Sequence, residues 1–309
     1  MDIGLHTKTL LVVAGPTAIG KTAFAIELAK RYHTEIVSAD SRQFYREMAI
    51  GTAKPSLAEL SEAKHHFINS HSIVDTFTAG DYEKEALHLL NQLFAQYNLV
   101  VLVGGSGLFI KAVCEGFDEF PDIAPAIRNK LNEEYAANGL APLQERLKQA
   151  DPSYFNTVDS NNPQRVIRAL EVIESTGIPY SSFRKANAKA RPFNIIKLGL
   201  NLPREQLYQR INQRVDNMMA EGLLEEVKQF LPYQHLNPLN TVGYTELFDF
   251  LAGKQTLEEA ISLIKQNTRR FAKRQLTWFR KDAEIVWLNA EQPMIDFENW
   301  LNKEGIKIV

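Results

Sequence analysis

The sequence has little cysteine, no long apolar run and no excess of positive charge. Its 309 residues include one cysteine, Cys114, which excludes an internal disulfide and any zinc site built from several cysteines. It contains no run of about twenty apolar residues, the length that a membrane-spanning helix needs. Residues 1–11 show no pattern typical of a secretory signal. We therefore expect a cytoplasmic protein with no membrane association.

The charge balance is close to neutral and slightly acidic. The chain has 35 Lys and Arg against 37 Asp and Glu, a net charge of −2. Nucleic-acid binders usually carry a basic excess, so any RNA site in this chain must come from local basic patches. Hydrophobic residues make up 45% of the chain, enough for a sizeable core in one large domain or two smaller ones.

The most specific motif lies at residues 10–22, which read LLVVAGPTAIGKT. The apolar run 10–14 predicts a buried strand, and the apolar periodicity after the motif predicts a helix. Between them, the residues from Gly15 onward fit the phosphate-binding pattern G-x-x-x-x-G-K-[ST]. In such a loop, backbone N–H groups and Lys21 bind phosphate oxygens, while the Thr22 hydroxyl can bind Mg²⁺. The pattern indicates a polyphosphate or pyrophosphate without saying which.

Two further predicted strands end beside this loop if the sheet is parallel. Residues 35–39 (EIVSA) lead to Asp40, whose carboxylate could bind a metal, take a proton or simply cap the next helix. Residues 98–103 (NLVVLV) lead to Gly104 and Gly105. Many P-loop nucleotidases have an aspartate at that strand end to hold Mg²⁺, and its absence weakens the interpretation as a nucleotidase.

The pattern predicts an α/β protein with a P-loop NTPase-like parallel sheet flanked by helices and a small all-helical insertion domain. Strands at 10–14, 35–39, 98–103, 193–200 and 284–289 would build the sheet. Helical, charged segments replace them in the middle of the chain. The predicted division is a first part of the core (1–118), a helical insertion (119–191) and a second part of the core with C-terminal helices and a last strand (192–309).

Two helices carry local basic patches. The helix predicted over 163–176 places Arg165 and Arg168 on one face, which could bind RNA or simply face solvent. The helix predicted over 257–280 has Arg270 and Arg274 on one face, aromatic residues between its cations and no acid from 265 to 281. It could line a phosphate-rich groove or be a solvated helix with an aromatic core stripe.

A family resemblance follows from the order of several motifs. These are GPTAIGKT, DSRQFY, GTAKP, LVGGSGLFIKA, NPQRVIRALEV, TVGYTE and RRFAKRQLTWFR. Together, from Leu10 to Trp287, they resemble the tRNA dimethylallyltransferases, also called tRNA isopentenyltransferases. Ser106 and Phe109 stand where the family usually has threonine and tyrosine. The single cysteine excludes the zinc finger of eukaryotic members, so a bacterial-type enzyme is expected.

The resemblance implies transfer of a dimethylallyl group from dimethylallyl diphosphate to N6 of adenosine 37 of tRNA, with Mg²⁺ as cofactor. The adenosine would be flipped out of the anticodon loop, with Asp40 as general base and Ser106 beside the acceptor. The predicted diphosphate site consists of Gly15, Pro16, Thr17, Ala18, Ile19, Gly20, Lys21, Thr22 and Arg214, with Thr22 also the metal ligand. The predicted tRNA contacts, from the resemblance and the basic patches, are Asp40, Ser41, Arg42, Gln43, Ser106, Arg128, Gln164, Arg165, Val166, Ile167, Arg168, Gly243, Tyr244, Arg270 and Arg274.

Two other functions are compatible with parts of the sequence. A P-loop small-molecule kinase using ATP would explain the phosphate loop and Asp40, but not the basic helices. A non-catalytic RNA-binding module would explain the basic helices and leave the phosphate loop without a role. We expect the transferase to act as a monomer on the anticodon stem-loop.

Overall fold

A computed structural model describes residues 8–118, 120–184 and 189–307 of the chain. In these residues one sheet contains six strands in the order β3-β2-β4-β1-β5-β6. All of its strand pairs are parallel. The strands are β1 (Thr9–Ala14), β2 (Ile36–Ser38), β3 (His65–His66), β4 (Leu99–Gly104), β5 (Asn194–Asn201) and β6 (Val286–Asn289). The parallel sheet flanked by helices confirms the predicted fold class.

The apolar runs in the sequence arise because both faces of the sheet are buried. In β1, Leu10 and Val12 belong to one apolar cluster, whereas Leu11 and Val13 belong to another. Successive side chains of a strand point to opposite faces, so a strand covered on both sides needs apolar residues throughout. All six residues of β1 are buried, and β1 and β4 are the two central strands of the sheet.

In the described residues, α-helices precede, form and follow a middle part of the chain that contains no strand. None of them is long and apolar enough to cross a membrane. They are α1 (Lys21–Arg31), α2 (Leu57–Glu62), α3 (Ala79–Phe94), α4 (Gly107–Glu115), α5 (Pro125–Asn138), α6 (Ala141–Ala150), α7 (Pro152–Phe155), α8 (Pro163–Thr176), α9 (Tyr180–Phe183), α10 (Arg204–Ala220), α11 (Leu223–Gln229), α12 (Tyr244–Leu251), α13 (Leu257–Phe279) and α14 (Pro293–Glu304).

One helix prediction was wrong. The sequence pattern predicts a single helix from 204 to 231, but the structure has α10 and α11 with a break at Gly222. Gly222 adopts φ 99°, a left-handed conformation that glycine tolerates and other residues rarely adopt. The new helix that starts there places Glu226 in its first turn, and this residue proves important for the site.

The chain divides into two compact units, one formed by Met1–Cys114 with Arg191–Val309 and one formed by Glu115–Ala190. The sequence places these boundaries at 118/119 and 191/192, and residue 119 itself lies outside the described residues. The second unit contains α5 to α9 and has an apolar core of its own. Its members include Leu131, Leu143, Leu147, Val166 and Leu170.

Candidate active site

The strand order brings three loops to one edge of the sheet. β4 lies between β1 and β2, so the segments that follow these three strands meet at their carboxyl ends. Ligands of open parallel sheets bind at this edge. A cleft of about 320 Å³ opens there, lined by the phosphate loop, Asp40, Gly105, Arg214 and Gln275. Residues separated by up to 258 positions in the sequence therefore surround one cavity.

The phosphate loop has the backbone geometry that its motif predicts. Gly20 adopts φ 105° directly before α1, a conformation that favours glycine and turns the chain into the helix. The N–H groups at this helix start and the helix dipole favour an anion. Lys21 Nζ, which lies in the cleft, donates a hydrogen bond of 2.7 Å to the Pro16 carbonyl and so closes back on its own loop.

The cations Lys21 and Arg214 share the cleft with the carboxylate of Asp40, and Glu59 also lines it. Burial lowers the pKa of Lys21 to about 7, against the opposing effect of the Asp40 carboxylate. Burial also lowers the pKa of Arg214, again with Asp40 opposing it. An anion in the cleft would restore the pKa of both groups, because a nearby negative charge favours their protonated forms. The site is therefore electrostatically suited to a multiply charged anion.

Two residues that the sequence analysis missed support the phosphate loop. The side-chain oxygen of Gln275 accepts from the Thr17 N–H at 2.9 Å, and its amide donates to the Gly105 carbonyl at 2.9 Å. Arg210 Nη1 donates to the Ile19 carbonyl at 3.3 Å. The sequence does contain a signal for Gln275, because this polar residue falls on the apolar face of its helix and is buried.

Asp40 caps a turn through one of its two carboxylate oxygens. Its Oδ1 accepts from the N–H groups of Arg42 at 2.9 Å and Gln43 at 3.3 Å, which fixes the turn after β2. No α-helix of the described residues begins there, so Asp40 caps a turn. Its Oδ2 accepts no hydrogen bond from the described residues. One carboxylate oxygen is thus occupied, while the other is free for a ligand in the cleft.

Ser106 lies beside this turn. The Ser106 Oγ accepts a hydrogen bond of 3.0 Å from the N–H of Ser41. Its carbonyl accepts from Phe109 and Ile110 and so begins α4. The predicted contacts Asp40, Ser41 and Ser106 are therefore brought together, although 65 positions separate the last two.

The loop at 49–55, which carries the GTAKP motif, forms another wall of the cleft. Glu226 holds its backbone by accepting from the N–H groups of residues 49, 50 and 51 at 3.0, 2.8 and 3.0 Å. Gln43 Nε2 donates to the carbonyls of residues 52 and 53 at 3.2 and 3.0 Å. Thr52, Ala53 and Pro55 line the cleft. Sequence reasoning missed the role of Glu226, because only the fold brings α11 to this loop.

Tyr244 completes the network and is buried. Its hydroxyl donates to Glu226 at 2.5 Å, and burial together with this carboxylate raises the pKa of Tyr244 well above its ordinary value. A Cβ atom at Gly51 would lie 2.4 Å from the Tyr244 ring, which explains the glycine of GTAKP. Gly243 is also buried and adopts φ 98°. Gly243 and Tyr244, the two residues of the motif TVGYTE that were predicted to contact tRNA, thus lie inside the protein.

The second unit brings several predicted contacts together around α8. Arg128 donates to Gln164 at 3.3 Å and pairs with Glu171 at 3.5 Å, and Arg168 pairs with the same Glu171 oxygen at 3.2 Å. Arg165 is exposed. Val166 and Ile167, in contrast, are buried in the core of this unit.

The long helix α13 buries one of its aromatic residues and exposes two others. Phe279 is buried and belongs to the core, as an aromatic core stripe requires. Phe271 and Trp278 are 39% and 44% exposed, and Arg270 and Arg274 are exposed as well. The Arg274 guanidinium lies 5.7 Å from the centre of the Phe271 ring. One face of the helix therefore presents aromatic and cationic groups to solvent.

The cleft offers oxygen ligands that suit Mg²⁺. Thr22 and Asp40 both line it, and the Thr22 hydroxyl makes no hydrogen bond to the described residues. Mg²⁺ in phosphate sites usually takes one or two protein oxygens and fills its octahedron with phosphate and water oxygens. Among the described residues, the cleft included, no group of three or more His, Cys, Asp or Glu could hold a metal by itself. The residues present therefore fit Mg²⁺ bound together with a phosphate ligand.

A parallel sheet with a phosphate loop at β1 and two cations in its cleft defines a P-loop-type protein built to bind a polyphosphate or diphosphate. Comparison with known proteins identifies the class more closely. Residues 43–282 match the family model described as IPP transferase. The chain belongs to this family, the tRNA dimethylallyltransferases, and is a prenyltransferase that acts on tRNA.

Individual relatives agree with this family over nearly their whole length. The tRNA dimethylallyltransferase of Christiangramia forsetii is 53% identical over 92% of this chain and 94% of its own. The crystal structure of the tRNA isopentenylpyrophosphate transferase of Bacillus halodurans is 36% identical, with 96% of each chain covered and a TM-score of 0.71. A eukaryotic dimethylallyltransferase acting on tRNA is 25% identical, covers 98% of this chain and 81% of its own, and has a TM-score of 0.80.

Proposed function

We propose that the enzyme transfers a dimethylallyl group from dimethylallyl diphosphate to N6 of adenosine 37, beside the anticodon of tRNA. The observation that carries this proposal is the placement of Asp40 in one cleft with Lys21 and Arg214. The cations suit the diphosphate, and the carboxylate suits an acceptor that must lose a proton. In the reaction the N6–carbon bond forms, the carbon–oxygen bond to diphosphate breaks, and the N6 proton moves to Asp40.

The donor's diphosphate would bind to the loop from Gly15 to Thr22, with Lys21 and Arg214 as its charged contacts. The hydrogen bond from Lys21 to the Pro16 carbonyl keeps the ammonium inside the loop, and this bond would be exchanged for one to the diphosphate. Both cations bind the ground state and also the departing diphosphate, whose charge increases as the bond breaks. When bound, Mg²⁺ would supply further positive charge to the same oxygens.

Asp40 would act on the acceptor amine. The N6 lone pair of adenine is delocalised into the ring, so the amine becomes an adequate nucleophile only as it loses a proton. The turn hydrogen bonds at Oδ1 hold the carboxylate in place and leave Oδ2 available for that proton. The Ser106 hydroxyl, bonded to the Ser41 N–H, would lie beside the same adenosine.

The adenosine would reach the cleft by flipping out of the anticodon loop, because a stacked base shields its exocyclic amine. We propose that tRNA contacts Asp40 to Gln43 and Ser106 in the sheet unit, together with the exposed cations Arg270 and Arg274. In the helical unit, Arg128, Gln164, Arg165 and Arg168 would contact the stem. The side chains of Val166, Ile167 and Tyr244 are buried. We therefore propose that these three residues support neighbouring residues that contact tRNA. A cytoplasmic location and a monomeric state stay predictions.

Replacement of Asp40 by Asn tests the proposal. Asn keeps the turn hydrogen bonds but not the base, so both substrates should bind while single-turnover transfer to an anticodon stem-loop falls about 10²–10⁴-fold, the usual range for a general base. ATP hydrolysis, measured in parallel, tests the kinase alternative. A near-wild-type transfer rate in Asp40→Asn would remove Asp40 from the chemistry.

A further inference from the structure

Trp278 is a large aromatic side chain that α13 leaves in contact with solvent. It is 44% exposed, whereas the next residue, Phe279, is only 3% exposed. Its indole N–H donates no hydrogen bond to the described residues. A tryptophan buries much apolar area in a folded protein and usually pairs its N–H when it is buried. Trp278 therefore exposes apolar ring surface to solvent, and its indole N–H has no hydrogen-bond partner among the described residues.

The position of Trp278 is fixed beside the loop that carries Ser106. A Cβ atom at Gly107 would lie only 2.2 Å from Nε1 of Trp278, so the indole rests directly on this glycine. Gln275 lies one helical turn earlier and bonds to the Gly105 carbonyl at 2.9 Å. Because residues three apart share a helix face, Gln275 holds the loop on the face where Trp278 contacts it.

The charges around Trp278 indicate the kind of partner. Arg274 lies one helical turn before Trp278, and Lys281 follows in a turn where its N–H donates to the Trp278 carbonyl. Both cations are exposed, and neither forms a salt bridge with an acidic side chain in the described part of the chain. Unpaired cations around an exposed aromatic ring are the features of a single-stranded nucleic-acid site. A free phosphate would use the cations alone, whereas a nucleobase uses the ring as well.

We propose that Trp278 is a stacking platform for a nucleobase of the RNA, next to the adenosine that enters the cleft. Flipping one base out of a stack leaves the faces of its neighbours without a partner. The indole would cover one of these faces and so lower the cost of the extrusion. This inference rests on the proposed function, since it takes the RNA substrate and the flipped adenosine from it.

Four variants separate stacking from simple packing. Trp278→Ala and Trp278→Leu should both bind an anticodon stem-loop about 5- to 150-fold more weakly, the effect of removing one base–aromatic stack. Trp278→Phe keeps an aromatic face and should retain most of the affinity. Tyr233→Ala removes another aromatic residue of similar exposure, 45%, and should bind like the wild type. Unchanged pyrophosphate binding in all four confirms that the cleft is intact. Full affinity in Trp278→Leu would overturn the proposal.

A fluorescence measurement gives a readout that does not depend on transfer. The chain contains three tryptophans, so Trp287→Phe with Trp300→Phe leaves Trp278 as the single reporter. Stem-loop RNA should quench this emission, whereas inorganic polyphosphate and an RNA with abasic sites flanking the target adenosine should not. Equal quenching by polyphosphate would overturn the stacking role. Base-dependent quenching without any prenyl transfer would refute the proposed function and leave the stacking site standing.

Discussion

The most informative single change in the cleft wall is Glu226→Gln. The carboxylate of Glu226 accepts three backbone hydrogen bonds from residues 49–51 and a fourth from Tyr244. Its Oε2 serves residues 49 and 50, and its Oε1 serves Gly51 and Tyr244. A glutamine has one oxygen for two of these donors and turns an NH₂ group toward the other two. The variant therefore breaks two hydrogen bonds together.

The size of the effect follows from these two bonds. A hydrogen bond to a charged group contributes about 1.5–3 kcal/mol, so two at the lower end give about 3 kcal/mol. The lower end applies because Glu226 is half-buried. The loop lines the cleft through Thr52, Ala53 and Pro55, so a displaced loop should disturb substrate binding. At about 1.4 kcal/mol for each factor of ten, kcat/KM for prenyl transfer should fall by about 10²-fold.

The assay compares kcat/KM and the thermal midpoint of Glu226→Gln with those of a neighbouring control. Glu225→Gln is the matched control, since Glu225 is exposed and its one ion pair within the described ranges is a 3.6 Å contact with Lys228. Tyr244→Phe removes one of the four bonds and should lose less than Glu226→Gln. If Glu226→Gln matched Glu225→Gln in both kcat/KM and midpoint, the loop would not depend on this carboxylate and the reasoning would fail.

Two further predictions concern the charges. Because burial lowers the pKa of Lys21 to about 7, its ammonium is present below that pH and is deprotonated above it in the free enzyme. Pyrophosphate affinity should therefore fall by up to about tenfold for each pH unit above 7, because binding then takes up a proton. Lys21→Ala should weaken both binding and transfer, and isothermal titration of this variant should no longer show the pH slope. Replacing Arg165 and Arg168 by Ala should weaken tRNA binding, spare dimethylallyl diphosphate and reduce the log–log salt slope by about one for each phosphate that the variant no longer binds. Wild-type tRNA affinity and salt slope in that double variant would exclude these two arginines from the RNA interface.

The sheet could be predicted from the sequence because two signals indicate its strands, an apolar run and the turn residues at the ends of that run. The runs around β1 and β4 are apolar throughout, as burial on both faces demands, and turn residues bound them. β3, at the edge, has only two residues, His65 and His66, which are too few for a periodic pattern. The break at Gly222 was also missed, since a glycine inside a helical pattern is often tolerated and only its φ of 99° shows that the helix ends.

The part of the site that lies within one motif could be predicted from the sequence. The contacts that the fold makes between distant residues could not. The phosphate loop is local, so its residues follow from eight consecutive letters. Gln275 contacts Thr17 across 258 positions, and Glu226 contacts Gly51 across 175. Neither pairing has a spacing that a single sequence could reveal. The family resemblance recovered GTAKP and TVGYTE as motifs, but only the structure explains their link, a tyrosine packed on a glycine and bonded to Glu226.

Gly104, which ends β4, and Gly105, which follows it, leave no room for an acidic side chain at this strand end. A Cβ atom at Gly104 would lie 2.3 Å from the Ala39 carbonyl, so no side chain fits between these strands. At Gly105, a Cβ atom would lie 2.5 Å from the Gln275 amide that supports the phosphate loop. The position that often holds an aspartate in nucleotide hydrolases is therefore closed by close packing. The carboxylate instead follows β2, one strand further from the phosphate loop than that position. The strand order thus places Asp40 beyond β4, two strands away from β1, while it still lines the same cleft as Lys21.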